Sequence, residues 1–249
     1  MQAISIIGFS NSGKTTLISR LSECLEARGL KVAIAKHTHH ELDKPDTDTA
    51  LLMGPKRTIV GLSNTKDGKG EAMIHWGHPC FLRDLVPLLD ADILLVEGGK
   101  TIGWLPRILC LRTTPELLTA LPEGCKALRP ELALATYGDN KLPGLPSFTA
   151  EDLDALVDLV LKKGFLLPAL DCGACGEADC TAMTQRIVAG EKTPGDCVAA
   201  RGSIEVTVNG QSVGLNPFTA QMLSGGIKGM LGALKGMVPG GEVIIRMKG

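Results

Sequence analysis

The octapeptide Gly8-Phe9-Ser10-Asn11-Ser12-Gly13-Lys14-Thr15 constrains this chain more than any other stretch. It fills the pattern G-x-x-x-x-G-K-[ST] completely, with the apolar run Ile4–Gly8 ahead of it and Leu17, Leu21 and Leu25 at helical spacing behind it. Two glycines allow backbone N–H groups to close around a phosphate, and the start of the following helix adds the positive end of its dipole. Lys14 would neutralise the β and γ phosphates, and the Thr15 hydroxyl would ligate Mg²⁺. Gly8, Asn11, Ser12, Gly13, Lys14, Thr15 and Thr16 are therefore expected to hold a nucleotide, with Lys14 as a catalytic cation. The base is not specified. Asn140-Lys141-Leu142-Pro143 lacks the Asp of a guanine-reading Asn-Lys-x-Asp, and Thr65-Lys66-Asp67-Gly68 carries its Asp one place early.

Around this loop, β-branched runs alternate with helical stretches. Strands are expected at 4–8, 31–35, 58–62, 93–96, 108–111 and 132–135, and helices at 14–28 and 150–163, the second entered through Thr149 with Asp152 as a partial capping box. That alternation implies a mainly parallel α/β sheet covered on both faces. Residues 165–170 then read as an apolar linker to a Cys-rich segment. The last stretch reads as strands 204–208 and 213–215 about the turn Asn209-Gly210, a helix from Pro217 and a strand 243–247. The expected division is 1–165, 166–201 and 202–249.

Composition narrows the function classes. Hydrophobic residues make up 44% of 249, enough for a real core, and 26 Lys and Arg balance 27 Asp and Glu. That balance argues against a broad surface for duplex DNA, and 3% aromatics are too few for a base-stacking platform, so nucleic acid is not an expected partner. The apolar stretch 217–238 is broken by Lys228, Lys235 and glycines, so no membrane span is expected. No basic residues lead into the N-terminal apolar run, which points to a cytoplasmic chain. In that compartment eight cysteines read as metal-binding or catalytic rather than disulfide-forming.

Four of them, Cys172-x2-Cys175-x4-Cys180-x16-Cys197, lie within a short span. Four thiolates satisfy either a [4Fe–4S] cube or a tetrahedral zinc. Gly173 and Gly176, each following a Cys, favour the cluster because they let backbone N–H groups approach sulfide. A helix over 178–188 would then present Cys180 near its start. Cys24, Cys80, Cys110 and Cys125 stand apart in or beside apolar runs and are expected to be buried packing residues.

Two further elements sit where ligands gather in an open α/β sheet, beyond the carboxyl ends of the strands. Glu97 ends the run Ile93–Val96 and would face the phosphates, holding the Mg²⁺ water shell or orienting a hydrolytic water. Lys36-His37-Thr38-His39-His40 follows the second expected strand, with Asp43, Asp46 and Asp48 beyond it. Its histidines suit a divalent metal or an anionic substrate, or simply a polar loop.

Taken in order, Gly8–Thr15, Lys36-His37-Thr38-His39-His40 and Val96-Glu97-Gly98-Gly99-Lys100 resemble the MobB family, over roughly residues 1–163. These small GTP-binding P-loop proteins assist attachment of GMP to molybdopterin. The resemblance implies a three-layer P-loop NTPase-type fold, GTP and Mg²⁺ as ligands, and Thr15, Asp48 and Glu97 as the residues around the metal. It also implies His37 and His39 beside the nucleotide, a molybdopterin guanylyltransferase or molybdoenzyme client as partner, and a homodimer. The chain departs from the family at Gly99, where an aromatic residue is usual, and at Asp46-Thr47-Asp48-Thr49, where Gly-Lys-Asp-Ser is usual. Cys172, Gly173, Cys175, Gly176, Cys180, Gly190 and Cys197 resemble the small iron–sulfur domain of Rnf-complex and corrinoid iron–sulfur subunits, which implies a [4Fe–4S] cluster, with zinc as the alternative. The expected activity is that of an accessory protein with slow GTP hydrolysis, since no arginine is evidently placed as a transition-state finger. A nucleotide-gated redox protein and a nucleotide-driven metallochaperone are the alternatives.

Overall fold

A computed structural model of the chain describes residues 1–37, 59–64, 70–75, 79–113, 124–200, 204, 206–208, 211–213, 217–232 and 244–245. At its centre, β1 (Gln2–Gly8) is buried from Ala3 to Gly8, as a parallel strand covered on both faces must be. It lies between β5 (Ile93–Glu97) and β6 (Arg107–Cys110). The sheet continues through β2 (Val32–Lys36) beyond β5, and through β7 (Ala133–Tyr137) and β8 (Ser147–Phe148) beyond β6, giving the order β2-β5-β1-β6-β7-β8 with every pairing parallel.

Period-two alternation divides the strand side chains between two cores. Ile4, Ile6, Ile93, Leu95 and Ile108 face α1 (Lys14–Ala27) and α2 (Leu153–Lys163), which bring Leu17, Leu21, Leu25, Leu156, Val157 and Val160 to the same cluster. Gly29, at φ +81°, ends α1 in the left-handed conformation that glycine adopts without steric cost. At the start of the helical segment leading into α2, the Thr149 hydroxyl accepts from Glu151 N at 3.3 Å and Asp152 Oδ2 accepts from Thr149 N at 2.8 Å.

On the other face, Ala3, Leu94, Val96 and Leu105 are covered by Leu82, Val86, Ile102, Trp104 and Leu166. Ile7, Leu109 and Leu111 meet Leu128, Leu142 and Leu145. Short helical turns at 82–88 and 124–132, together with extended segments, form this layer among the described residues.

The structure departs from the sequence reading at several elements. β3 (Ile59–Asn64) is not part of the parallel sheet; it pairs antiparallel with β4 (Gly70–His75), a strand the sequence reading did not include. Five intervening residues suffice for a hairpin, whereas a parallel crossover needs a dozen or more. Residues 165–170 are more than a linker, since Phe165, Leu167 and Ala169 are buried and Phe165 N donates to Ala3 O at 3.0 Å. Cys80 is exposed, contrary to the expectation of burial, whereas Cys110 is buried and Cys24 partly so; the side chain of Cys125 lies outside the described residues. The C-terminal hairpin joins β9 (Val206–Val208) to β10 (Gln211–Val213), which starts two residues earlier than expected because Gln211 pairs directly with Val208. A helix does start at Pro217, as α4 (Pro217–Gly232), whereas residues 244–245 carry no strand.

Candidate functional site

The parallel sheet gathers four strand ends along one edge. Gly8 stands opposite Cys110, Ile6 opposite Glu97, and Lys36 opposite Glu97 on the other side. Beyond them runs the phosphate loop. Its turn is made by Asn11 (φ +58°) and by Gly13 (φ +85°), which caps the N-terminus of α1. Left-handed residues interleaved with right-handed ones turn successive N–H groups toward one side, the concave nest that suits an anion. Gly8 must lack a side chain for a packing reason, because a Cβ there would lie 2.7 Å from Cys110 O and 2.3 Å from Ser12 Oγ.

Lys14 folds back over this loop, donating from Nζ to Phe9 O at 2.5 Å and to Ser12 Oγ at 3.5 Å. Burial pushes its ammonium below the usual lysine range, an effect opposed by the nearby Glu97 carboxylate. Thr15 Oγ1 donates to Glu97 Oε1 at 2.9 Å, so the hydroxyl and the carboxylate that a Mg²⁺ ion would use already meet across α1 and β5. The same carboxylate oxygen is 3.6 Å from Lys36 Nζ. Lys100 Nζ stands 4.8 Å from the centre of the Phe9 ring, over the loop. Beneath the loop, burial pushes the Cys110 thiol up to about 12, which leaves it protonated and inert.

The fold thus brings Gly8, Asn11, Ser12, Gly13, Lys14, Thr15 and Glu97 together, with Thr16 exposed on the first turn of α1. His37 is close by: its backbone N donates to Glu97 O at 2.9 Å, and its side chain is exposed. His39, His40, Asp43, Asp46 and Asp48 lie outside the described residues. Lys36 and Lys100 are two charges that the reading of the sequence did not place here. Both belonged to quoted motifs, but as isolated letters at a strand end and a loop they carried no period or spacing to single them out.

A second site lies past the sheet. Cys172, Cys175, Cys180 and Cys197 line one pocket with Leu170 and Met183. Cys180 and Cys197 are buried at 8% and 5% exposure, while Cys172 is exposed. Cys180 begins α3 (Cys180–Val188), whose N-cap Asp179 accepts from Ala182 N at 2.7 Å. Asp171 clamps the same point from outside: its Oδ1 accepts from Cys180 N at 2.8 Å, and its own N points at Cys180 Sγ at 3.4 Å. Burial pushes the Cys180 thiol up, and that amide contact works against the rise. Lys192 Nζ ties the loop with bonds to Cys175 O at 3.1 Å and Glu177 Oε1 at 2.5 Å.

These residues fit a bound cluster. Ala169 (φ +56°), Asp171 (φ +49°), Gly173 (φ +66°) and Gly176 (φ +85°) are all left-handed, and two of them are not glycine. Strain of about 1–3 kcal/mol at each non-glycine residue persists only where the surroundings impose it. At Asp171 it leaves the amide aimed at a sulfur, with N donating to Cys180 Sγ at 3.4 Å. Among the described residues no three His, Cys, Asp or Glu side chains converge closely enough to hold a single metal ion, so it is the shared pocket of the four cysteines that marks this site.

Fold and phosphate loop together define a P-loop α/β protein. A profile of the family described as MobB, molybdopterin guanine dinucleotide synthesis protein B, matches residues 3–125, and one described as "Putative Fe-S cluster" matches residues 167–199. A relative from Haemophilus influenzae, named molybdopterin-guanine dinucleotide biosynthesis adapter protein, is 35% identical over 48% of this chain and 67% of its own. One from Methanocaldococcus jannaschii, named "Putative molybdopterin-guanine dinucleotide biosynthesis adapter protein", is 28% identical over 95% of this chain and 93% of its own. The crystal structure of Bacillus subtilis MobB aligns with TM-score 0.48 at 26% identity, covering 65% of this chain and 97% of that one. The chain belongs to the MobB family and adds an iron–sulfur-type module to it. No described helix is long and apolar enough to cross a membrane.

Proposed function

We propose that this chain binds GTP with Mg²⁺ at the phosphate loop and serves as an adapter in molybdopterin-guanine dinucleotide biosynthesis. The observation that carries the reading is the meeting of Lys14, Thr15 and Glu97 at the carboxyl edge of β1 and β5. Gly8, Asn11, Ser12, Gly13 and Thr16 would complete the cradle. Thr15, Glu97 and Asp48 would surround the metal, and His37 and His39 would stand beside the nucleotide. Lys14, whose ammonium now bonds Phe9 O, would hold the β and γ phosphates, and Thr15 Oγ1 with Glu97 would hold the Mg²⁺ ion, which would neutralise phosphate charge there. Hydrolysis is slow until a partner supplies a further cation, the term worth most in this chemistry. The partner is the guanylyltransferase or the molybdoenzyme that receives the cofactor, and the adapter acts as a homodimer in the cytoplasm. Cys172, Cys175, Cys180 and Cys197 hold a [4Fe–4S] cluster of redox or docking role. The division of the chain near 165 and 201 separates these tasks.

Anaerobic purification followed by iron, sulfide and zinc analysis, with nucleotide titration of the same sample, tests both sites. The expected result is about four iron and four sulfide per chain and Mg²⁺-dependent GTP binding that Lys14→Ala abolishes. Unchanged affinity in that variant, or stoichiometric zinc without sulfide, would overturn the corresponding half.

A further inference from the structure

The eight residues after Glu97 run without a break from one site to the other. Gly98, at φ +80°, donates to Ile6 O at 3.1 Å and passes so close to β2 that a Cβ would lie 3.0 Å from His37 O. Lys100 lies over Phe9 of the phosphate loop. The Ile102 carbonyl is held at 2.6 Å by Nη2 of Arg107, a side chain with no exposure at all. Gly103 is pressed against Thr181, the residue after Cys180, where a Cβ would fall 2.0 Å from Oγ1 and 2.9 Å from Cβ. Trp104 packs at once against the sheet-face cluster of Ala3, Leu94, Val96 and Leu105 and the module core of Phe165, Leu167, Cys180, Met183 and Cys197. Its carbonyl accepts from Leu167 N at 3.4 Å.

We infer that residues 98–105 couple the two sites, so that nucleotide occupancy and the oxidation state of the cluster influence each other. The inference rests on the reading of both sites given above and adds what joins them. One end of the segment adjoins Glu97, whose carboxylate accepts from Thr15 and would face a bound Mg²⁺, and the other touches the helix that begins with Cys180. Lys100 and Thr101 are exposed, but Gly99 and Gly103 are buried and Arg107 fixes the Ile102 carbonyl, so a displacement of Glu97 has a packed route to Thr181. The electron step is simple. The cube takes one electron from an external reductant, [4Fe–4S]²⁺ going to [4Fe–4S]⁺, with no bond made or broken in the protein. Linkage then requires that nucleotide shift the midpoint potential by the same free energy by which reduction shifts nucleotide affinity.

The test uses the full chain with its cluster, kept anaerobic. The cluster potential is followed by electron paramagnetic resonance with and without saturating GTP and Mg²⁺, and GTP affinity is measured before and after reduction with dithionite. We expect reduction to weaken GTP at least tenfold and GTP to lower the potential by the equivalent, about 59 mV for one electron. Thr181→Ala removes the group against Gly103 and should cut both effects below twofold, or about 18 mV, with iron content and oxidised-state affinity unchanged. Thr181→Ser keeps the Oγ contact and should retain most of the coupling. Full iron, sulfide and nucleotide occupancy with no shift, or a full shift surviving in Thr181→Ala, overturns the coupling alone. A chain that takes up no cluster or binds no nucleotide overturns the reading of the sites and the coupling with it.

Discussion

Gly8→Ala asks whether the phosphate loop depends on the spacing between β1 and β6. The new Cβ would sit 2.7 Å from Cys110 O, 3.1 Å from Cys110 Cβ and 2.3 Å from Ser12 Oγ. The serine hydroxyl can rotate away. The carbonyl cannot, because Cys110 lies in a strand paired with β1 on one side and β7 on the other. Ordinary contact begins near 3.4 Å, so the loop must retreat by about 0.7 Å. A retreat of that size stretches an N–H···O bond from about 2.9 Å to about 3.6 Å, beyond useful length. Losing two charge-assisted bonds to phosphate, roughly 1.5–3 kcal/mol each, weakens nucleotide binding roughly 10²- to 10⁴-fold. The overpacking itself costs about 1–3 kcal/mol of stability. Calorimetric titration with GTP and Mg²⁺, beside thermal unfolding, reads the two effects separately. Gly13→Ala is the comparison: nothing lies within 4 Å of a Cβ there, so only left-handed strain of about 1–2 kcal/mol is added. Binding by Gly8→Ala within threefold of the natural chain would refute the reasoning.

Three further outcomes are expected. Leu21→Ala empties a fully buried position on α1 and should cost about 2–5 kcal/mol, lowering Tm by several degrees in a differential scan. Bonds from the Thr149 hydroxyl and amide hold the Asp152 carboxyl below its usual range, so its contribution is present above the ordinary value of about 3.9 and is lost as pH falls through the folded value. Circular dichroism melts should therefore show Asp152→Asn less stable than the natural chain at pH 7, with the gap closing below about pH 3.9. Iodoacetamide at pH 8 should alkylate exposed Cys80 and leave buried Cys110 unlabelled in the folded chain, as peptide mass spectrometry will show.

Much of the fold was legible because its signals are local. The strand before the phosphate loop, the helix after it and the Gly29 stop each depend on residues within a few positions of one another. The same holds for the box of Thr149 and Asp152. Both candidate sites could be located for that reason, since eight contiguous residues mark one and four cysteines in a short span mark the other. The hairpin of β3 and β4 was harder. Residues 58–62 read as one more strand of the parallel sheet and 70–75 as no strand, because pairing direction depends on where the chain turns, not on the run itself. Arg107 shows the limit most clearly: as a letter it reads as a surface cation, yet it is fully buried and bonded to Leu128 O and Ile102 O.

The amino-acid order alone determined the phosphate cradle, the alternation that builds a parallel sheet, and a set of four thiols close enough along the chain to share one ligand. Only the tertiary structure decided that Glu97 meets Thr15, that Lys36 and Lys100 join them, and that Gly103 and Trp104 press against the module beginning with Cys180. Backbone preferences act over a few residues and can be read in order along the chain. Contacts between residues about sixty to ninety positions apart exist only once burial of apolar surface has fixed which faces meet.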